Sequence, residues 1–158
     1  MTTAGLKQKN PSLLQRVIDR FRREHDLSKP TSPKALSLTL ALRRLWADHV
    51  VWTREYVVAA ISDAPDAGAV AGRLLKNQED IGNAVVPFYG EAAGSRLTEL
   101  LKEHVMMQHL TLTKNEAVAR LKGRWEDDIE AFDQIFTEIL TVADVLAAGI
   151  VKQFPNKF

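Results

Sequence analysis

The sequence contains no cysteine. That excludes a disulfide framework, a thiolate zinc site, an iron–sulfur cluster and a cysteine nucleophile, and it fits a reducing compartment. The first ten residues carry no apolar core of the signal-peptide kind. The longest continuous apolar stretches, Val57–Ile61 and Val145–Val151, fall far short of the roughly 20 residues that span a bilayer. No transmembrane segment is expected, and a cytoplasmic protein is the simplest reading. Sustained alternation of β-branched residues between hairpin turns is missing as well, which argues against strands. So are the glycine-rich nucleotide loops, the paired-histidine zinc helix, the serine nucleophile elbow and the serine–lysine pair. The carboxylates are numerous, but spacing singles out no acid/base pair.

What remains is the composition of an ordinary globular domain: 158 residues, 46% hydrophobic and 26% charged. A chain of this length is enough for one self-sufficient core. Its net charge of +1 conceals an asymmetry. Residues 1–34 hold eight bases and three acids, a balance of +5; the other 124 hold 13 bases and 17 acids, a balance of −4. A basic arm on an acidic body points to a surface, partner or self-association role for the arm. The body lacks the positive field that wraps nucleic acid, so no nucleic-acid partner is expected.

Punctuation divides the chain into helices. Asn10-Pro11 and Ser32-Pro33 are both cap-plus-proline starts. The first opens a short basic amphipathic helix over residues 11–24, with Leu13, Leu14, Val17, Ile18 and Phe21 on one face. The second opens a long helix from Pro33 to Ile61, whose stripe reads Leu38, Leu42, Leu45, Trp46, His49, Trp52, Thr53 and Tyr56. Asp66 is placed to cap a helix running to about Val86, ended by Pro87-Phe88-Tyr89-Gly90. Another begins near Glu91. Thr113-Lys114-Asn115-Glu116 has the form of a capping box and predicts a kink or restart that continues to Leu121. After Gly123 a last helix spans about 124–151, with Trp125, Ile129, Phe132, Phe136, Leu140, Ala143 and Leu146 facing inward. The Gly68-x-x-x-Gly72 spacing is a close-packing pattern. Four long helices with short connections predict an all-α antiparallel four-helix bundle over 32–158, preceded by the 1–31 arm. The arm is a candidate for self-association or for contact with a membrane surface.

Two segments share a pattern. Leu42-x-x-Leu45 leads to Asp48-His49-Val50, and Leu97-x-x-Leu100 leads to Glu103-His104-Val105. Downstream, Arg73-Leu74 precedes Asp80-Ile81, and Arg120-Leu121 precedes Asp128-Ile129. Read as two related hairpins, they bring His49, Asp80, His104 and Asp128 together as candidate ligands. Imidazole and carboxylate suit a divalent transition metal such as zinc, manganese, iron or nickel. The same groups equally serve as core hydrogen-bonding residues. Trp52, Arg54 and Tyr56 lie within reach of such a centre as candidate contacts to a small polar or anionic ligand. Asn77, Gln78 and Asn83 make their helix unusually polar. His104 and His109 are five residues apart, about 140° around a helix, so an unbroken helix cannot aim both at one ion. The Glu-x-x-His pattern of di-iron bundles is absent.

The segments Leu45-Trp46-x-x-His49-Val50-x-Trp52-Thr53-Arg54, Arg73-Leu74-Leu75-x-Asn77-x-x-Asp80-Ile81, Pro87-Phe88-Tyr89-Gly90 and Gly149-Ile150-Val151-Lys152-Gln153-Phe154-Pro155-x-Lys157-Phe158 resemble a family of small, functionally uncharacterised helical proteins of bacteria and archaea. Its members often carry the labels acetylglutamate kinase or glycosyltransferase, neither of which this sequence supports. The resemblance covers about residues 36–158 and implies a helical bundle without assigned chemistry. Family members carry a further hairpin where this chain joins Val105 directly to Met106, which makes His104 and His109 rival matches to the family's histidine motifs and implies a core completed by self-association, as a dimer first, or by helix exchange. The leading expectation is a non-enzymatic binding module. The alternative is an interaction protein acting through residues 11–24, and a metal-dependent enzyme with an open coordination position is a third.

Overall fold

The computed structural model describes residues 32–104 and 110–158, and at 103–104 and 110–113 the backbone alone. The expectations for residues 11–24, for His109 and for the His104 side chain lie outside the described residues. Every described residue belongs to one compact unit, residues 32–158.

Every regular element among the described residues is helical. In chain order they are α1 (Pro33–Ile61), α2 (Ala67–Tyr89), α3 (Glu91–His104), α4 (Leu110–Leu121) and α5 (Trp125–Gln153), with a short 3₁₀ turn at Pro155–Lys157 after them. Ser32 caps α1 as its sequence signal requires: its hydroxyl accepts from the Ala35 amide at 3.1 Å, and Pro33 sits at the first helical position. Asp66 precedes α2 without a side-chain capping bond. Gly123, at φ +66°, closes α4 in the left-handed region that glycine tolerates.

The packing is ordered around α1, which lies against both α2 and α5; α3 packs on α2, and α4 on α5 and more lightly on α1. Leu42, Trp46 and Val50 from α1 meet Ile81 and Val85 from α2 and Leu101 from α3. On the other side they meet Ile135, Ile139, Ala143, Ala147 and Ile150 from α5.

Three details depart from the sequence reading. The close helix contact is at Gly82 and Gly94: a Cβ on Gly82 would lie 2.7 Å from the Gly94 carbonyl and closer still to the Thr98 hydroxyl. Gly68 and Gly72 have open space around them. Next, α2 runs through Pro87 to Tyr89 rather than stopping at Val86. An aromatic clasp accompanies that extension. Phe88 stacks on Phe158 at 5.7 Å and tilts against Phe154 at 5.8 Å, while the Lys157 ammonium donates to the Pro87 carbonyl. Tyr89 donates to the Gln153 side chain. Two of the resemblance segments, residues 87–90 and 149–158, are therefore packed on each other.

The third departure is the face of α5. Its buried line is Asp128, Ala131, Ile135, Ile139, Ala143, Ala147 and Ile150. Trp125 and Ile129, expected inside, are exposed. The helix is apolar on two sides, and the alanine-rich side lets α1 approach closely. By length and composition α5 is also the one described helix apolar enough to cross a membrane; its alanine–isoleucine line is committed to the core beside α1.

Candidate functional site

Among the described residues, five polar or charged side chains are buried: His49, Asn77, Gln78, Glu116 and Asp128. They fall into two groups with opposite hydrogen-bond economies.

The first group is carried by α1 and α2. His49 projects from α1 within the apolar line of Leu42, Trp46 and Val50, as its stripe position predicts. Its Nδ1 lies 3.1 Å from the Asn77 side-chain oxygen. The Asn77 amide nitrogen donates to the Leu45 carbonyl at 2.9 Å. Trp46 meets the imidazole edge-on, with ring centroids 5.8 Å apart. Asn77 thus ties the imidazole to the backbone one turn earlier on α1. Gln78, the next residue, is 0% exposed, and neither its amide nitrogen nor its amide oxygen has a hydrogen-bond partner. The indole nitrogen of Trp46 is likewise buried without a partner. Unmet polar atoms buried in a core cost about 1–3 kcal/mol each, and native cores keep few of them.

The second group joins α1, α4 and α5. Arg54 reaches both acids. Its Nη1 donates to Glu116 at 2.5 Å and to Asp128 at 3.0 Å, and its Nη2 donates to the other Asp128 oxygen at 3.0 Å. Arg120 donates to Asp128 at 2.9 Å. The Arg54 guanidinium also lies 4.8 Å from the Phe132 ring centre. Burial works against the Arg54 charge, but hydrogen bonding to Asp128 and the charges of Glu116 and Asp128 outweigh it, so its pKa stays above the ordinary value. Burial raises the Glu116 carboxyl above its ordinary range, with Arg54 opposing. The fork of Arg54 on Asp128 is the bidentate geometry in which arginine outperforms lysine.

The predicted site residues are thus distributed over several environments. His49 is in the first group. Asp128 and Arg54, expected as a metal ligand and an anion contact, are bound to each other. Asp80 lies at the surface of α2, where Lys76 donates to it at 2.8 Å. Trp52 carries the Arg73 guanidinium over its ring at 5.1 Å, and Tyr56 is exposed. Among the described residues no three His, Asp or Glu side chains are grouped to hold a metal ion.

Two residues escape the sequence reading. The capping-box pattern assigns Glu116 to a helix start, but α4 begins at Leu110, so this glutamate lies inside the helix and turns to Arg54. Gln78, which the sequence leaves open to a solvent-facing role, is wholly buried; the fourfold spacing Leu74–Gln78–Gly82, all on the packed side of α2, was the available signal.

A separate open groove of about 620 Å³ runs between α2 and α3, past Glu79, Asn83, Glu91, Thr98 and Lys102. Its Glu79 is already paired with Lys102. No family model, curated protein or solved structure matches this chain.

Proposed function

We propose that the chain is a non-enzymatic, antiparallel four-helix bundle that binds a small polar ligand or a metal ion between its helices, in the layer of His49, Asn77 and Gln78. The bundle reading is supported by α1 packing against both α2 and α5, with α3 on α2 and α4 on α5. The binding reading rests on one observation: the Gln78 amide is fully buried with its donor and its acceptor both unmet. An apolar residue of similar shape would stabilise that position, so a retained amide favours a ligand that offers an acceptor and a donor side by side. His49 is already oriented by Asn77, as an imidazole ligand oriented by a neighbouring group would be.

The test is native mass spectrometry with elemental analysis on tag-free wild-type, His49→Ala and Gln78→Leu proteins. The expected result is a stoichiometric ion or added mass on the wild type, reduced in both variants while the helical content persists. A wild type that carries nothing, and takes up nothing on incubation with zinc, manganese, iron, nickel or copper or with small amides and carboxylic acids, would overturn the reading.

A further inference from the structure

The corner where α4 turns into α5 exposes three large apolar side chains. Leu121 is 67% exposed, Trp125 58% and Ile129 54%. Trp125 and Ile129 share one face of α5, Leu121 ends α4 just before it, and Phe132 and Phe136 continue that face as partly buried residues packed on the core, tilted against each other at 5.9 Å. Large aromatic and aliphatic side chains grouped this way on a surface mark an interaction site.

The charges beside the patch indicate what covers it. Residues 114–124 carry four bases (Lys114, Arg120, Lys122, Arg124) and one acid, the buried Glu116. Residues 125–138 carry six acids (Glu126, Asp127, Asp128, Glu130, Asp133, Glu138) and no base. Part of this charge is used within the chain: Arg120 and Arg124 pair with Asp128 and Asp127. Lys122 and Asp133 enter no ion pair among the described residues, and both are exposed. The surface is therefore basic at one end of the apolar line and acidic along its flank. Such a surface is complementary to itself when inverted.

We propose that this corner is the interface of a two-fold homodimer, with Leu121, Trp125 and Ile129 of one copy packed on the same residues of the second. A two-fold axis between Trp125 and Ile129 runs the two α5 helices in opposite directions, sets Trp125 of each copy against Ile129 of the other and brings Lys122 of each copy towards Asp133 of the other. An isologous patch has to satisfy that requirement on itself. Complementary charge at the rim fixes register, while the buried aromatic residues supply the affinity.

The experiment is sedimentation velocity on the full chain over a concentration series, with circular dichroism on every variant. The wild type is expected to dimerise at about 50 μM or below, the range of a specific interface. Trp125→Glu/Ile129→Glu is expected to weaken the dimer at least about 30-fold, the effect of losing a hot spot, with helicity unchanged because both side chains are exposed. Lys122→Glu should weaken it severalfold, and adding Asp133→Lys should restore it. A monomeric wild type would overturn the proposal. So would a dimer that the Trp125/Ile129 variant leaves intact, or a charge reversal that its partner reversal fails to rescue.

Discussion

The two buried polar groups of this bundle are built to opposite rules. Around Asp128, both oxygens of one carboxylate are covered by two arginines from different helices, and Glu116 shares one of the same guanidinium nitrogens. Around Gln78, two polar atoms are sealed in the core with nothing to bond. A satisfied network fixes the register of the helices it joins; here it ties the short α4 to α1 and α5, since Glu116 and Ala119 are the buried residues of its described part. An unsatisfied one stabilises nothing by itself. The proposed ligand would supply the partner that the protein itself does not.

The sharpest way to break this contrast is at Asp128. Asp128→Ala removes three hydrogen bonds and leaves Arg54 and Arg120 facing each other without that counter-charge. A loss of about 3 kcal/mol in urea unfolding is expected, toward the lower end for breaking a buried pair because both arginines are partly exposed. Gln78→Leu tests the other half, with the opposite sign. Replacing the unmet amide by an apolar side chain of similar length should stabilise the ligand-free protein by about 1–2 kcal/mol in the same assay.

The smallest effect is expected at Glu116. Glu116→Gln keeps an acceptor for Arg54 and removes a buried charge, so the change should stay within about 1 kcal/mol at neutral pH. The pH dependence comes from the direction of the shift. The folded protein holds the Glu116 proton more tightly than the unfolded chain. Its contribution to stability is therefore present at and below the ordinary carboxylate range, and is lost as pH rises through the folded-state value. Unfolding measured at several pH values across that window should show this loss in the wild type and not in Glu116→Gln.

Much of the helix layout was legible from caps and stops. Ser32-Pro33, Gly90 and Gly123 bound their helices, and His49 lies in the core line that its spacing assigned. The facing of α5 was not legible. Trp125 and Ile129 outrank Ala131 and Ala147 in hydrophobicity, yet the alanines are on the buried side, and that choice appears only when the partner helix is known. The same limit applies to the charged residues. Nothing local tells Asp128, which binds two arginines, from Asp80, which lies at the surface beside Lys76. The capping-box pattern at Thr113–Glu116 misled because a glutamate that can reach back to a helix start can equally turn across the bundle to an arginine.

The most direct test of the binding layer compares protein as isolated with the same protein unfolded, dialysed and refolded. If Gln78 faces a ligand, the isolated wild type melts higher than the refolded wild type, because a bound ligand stabilises the native state by mass action; Gln78→Leu shows one melting temperature in both preparations. Identical melting of the two wild-type preparations, both below Gln78→Leu, would contradict the account and leave Gln78 as an unmet core amide.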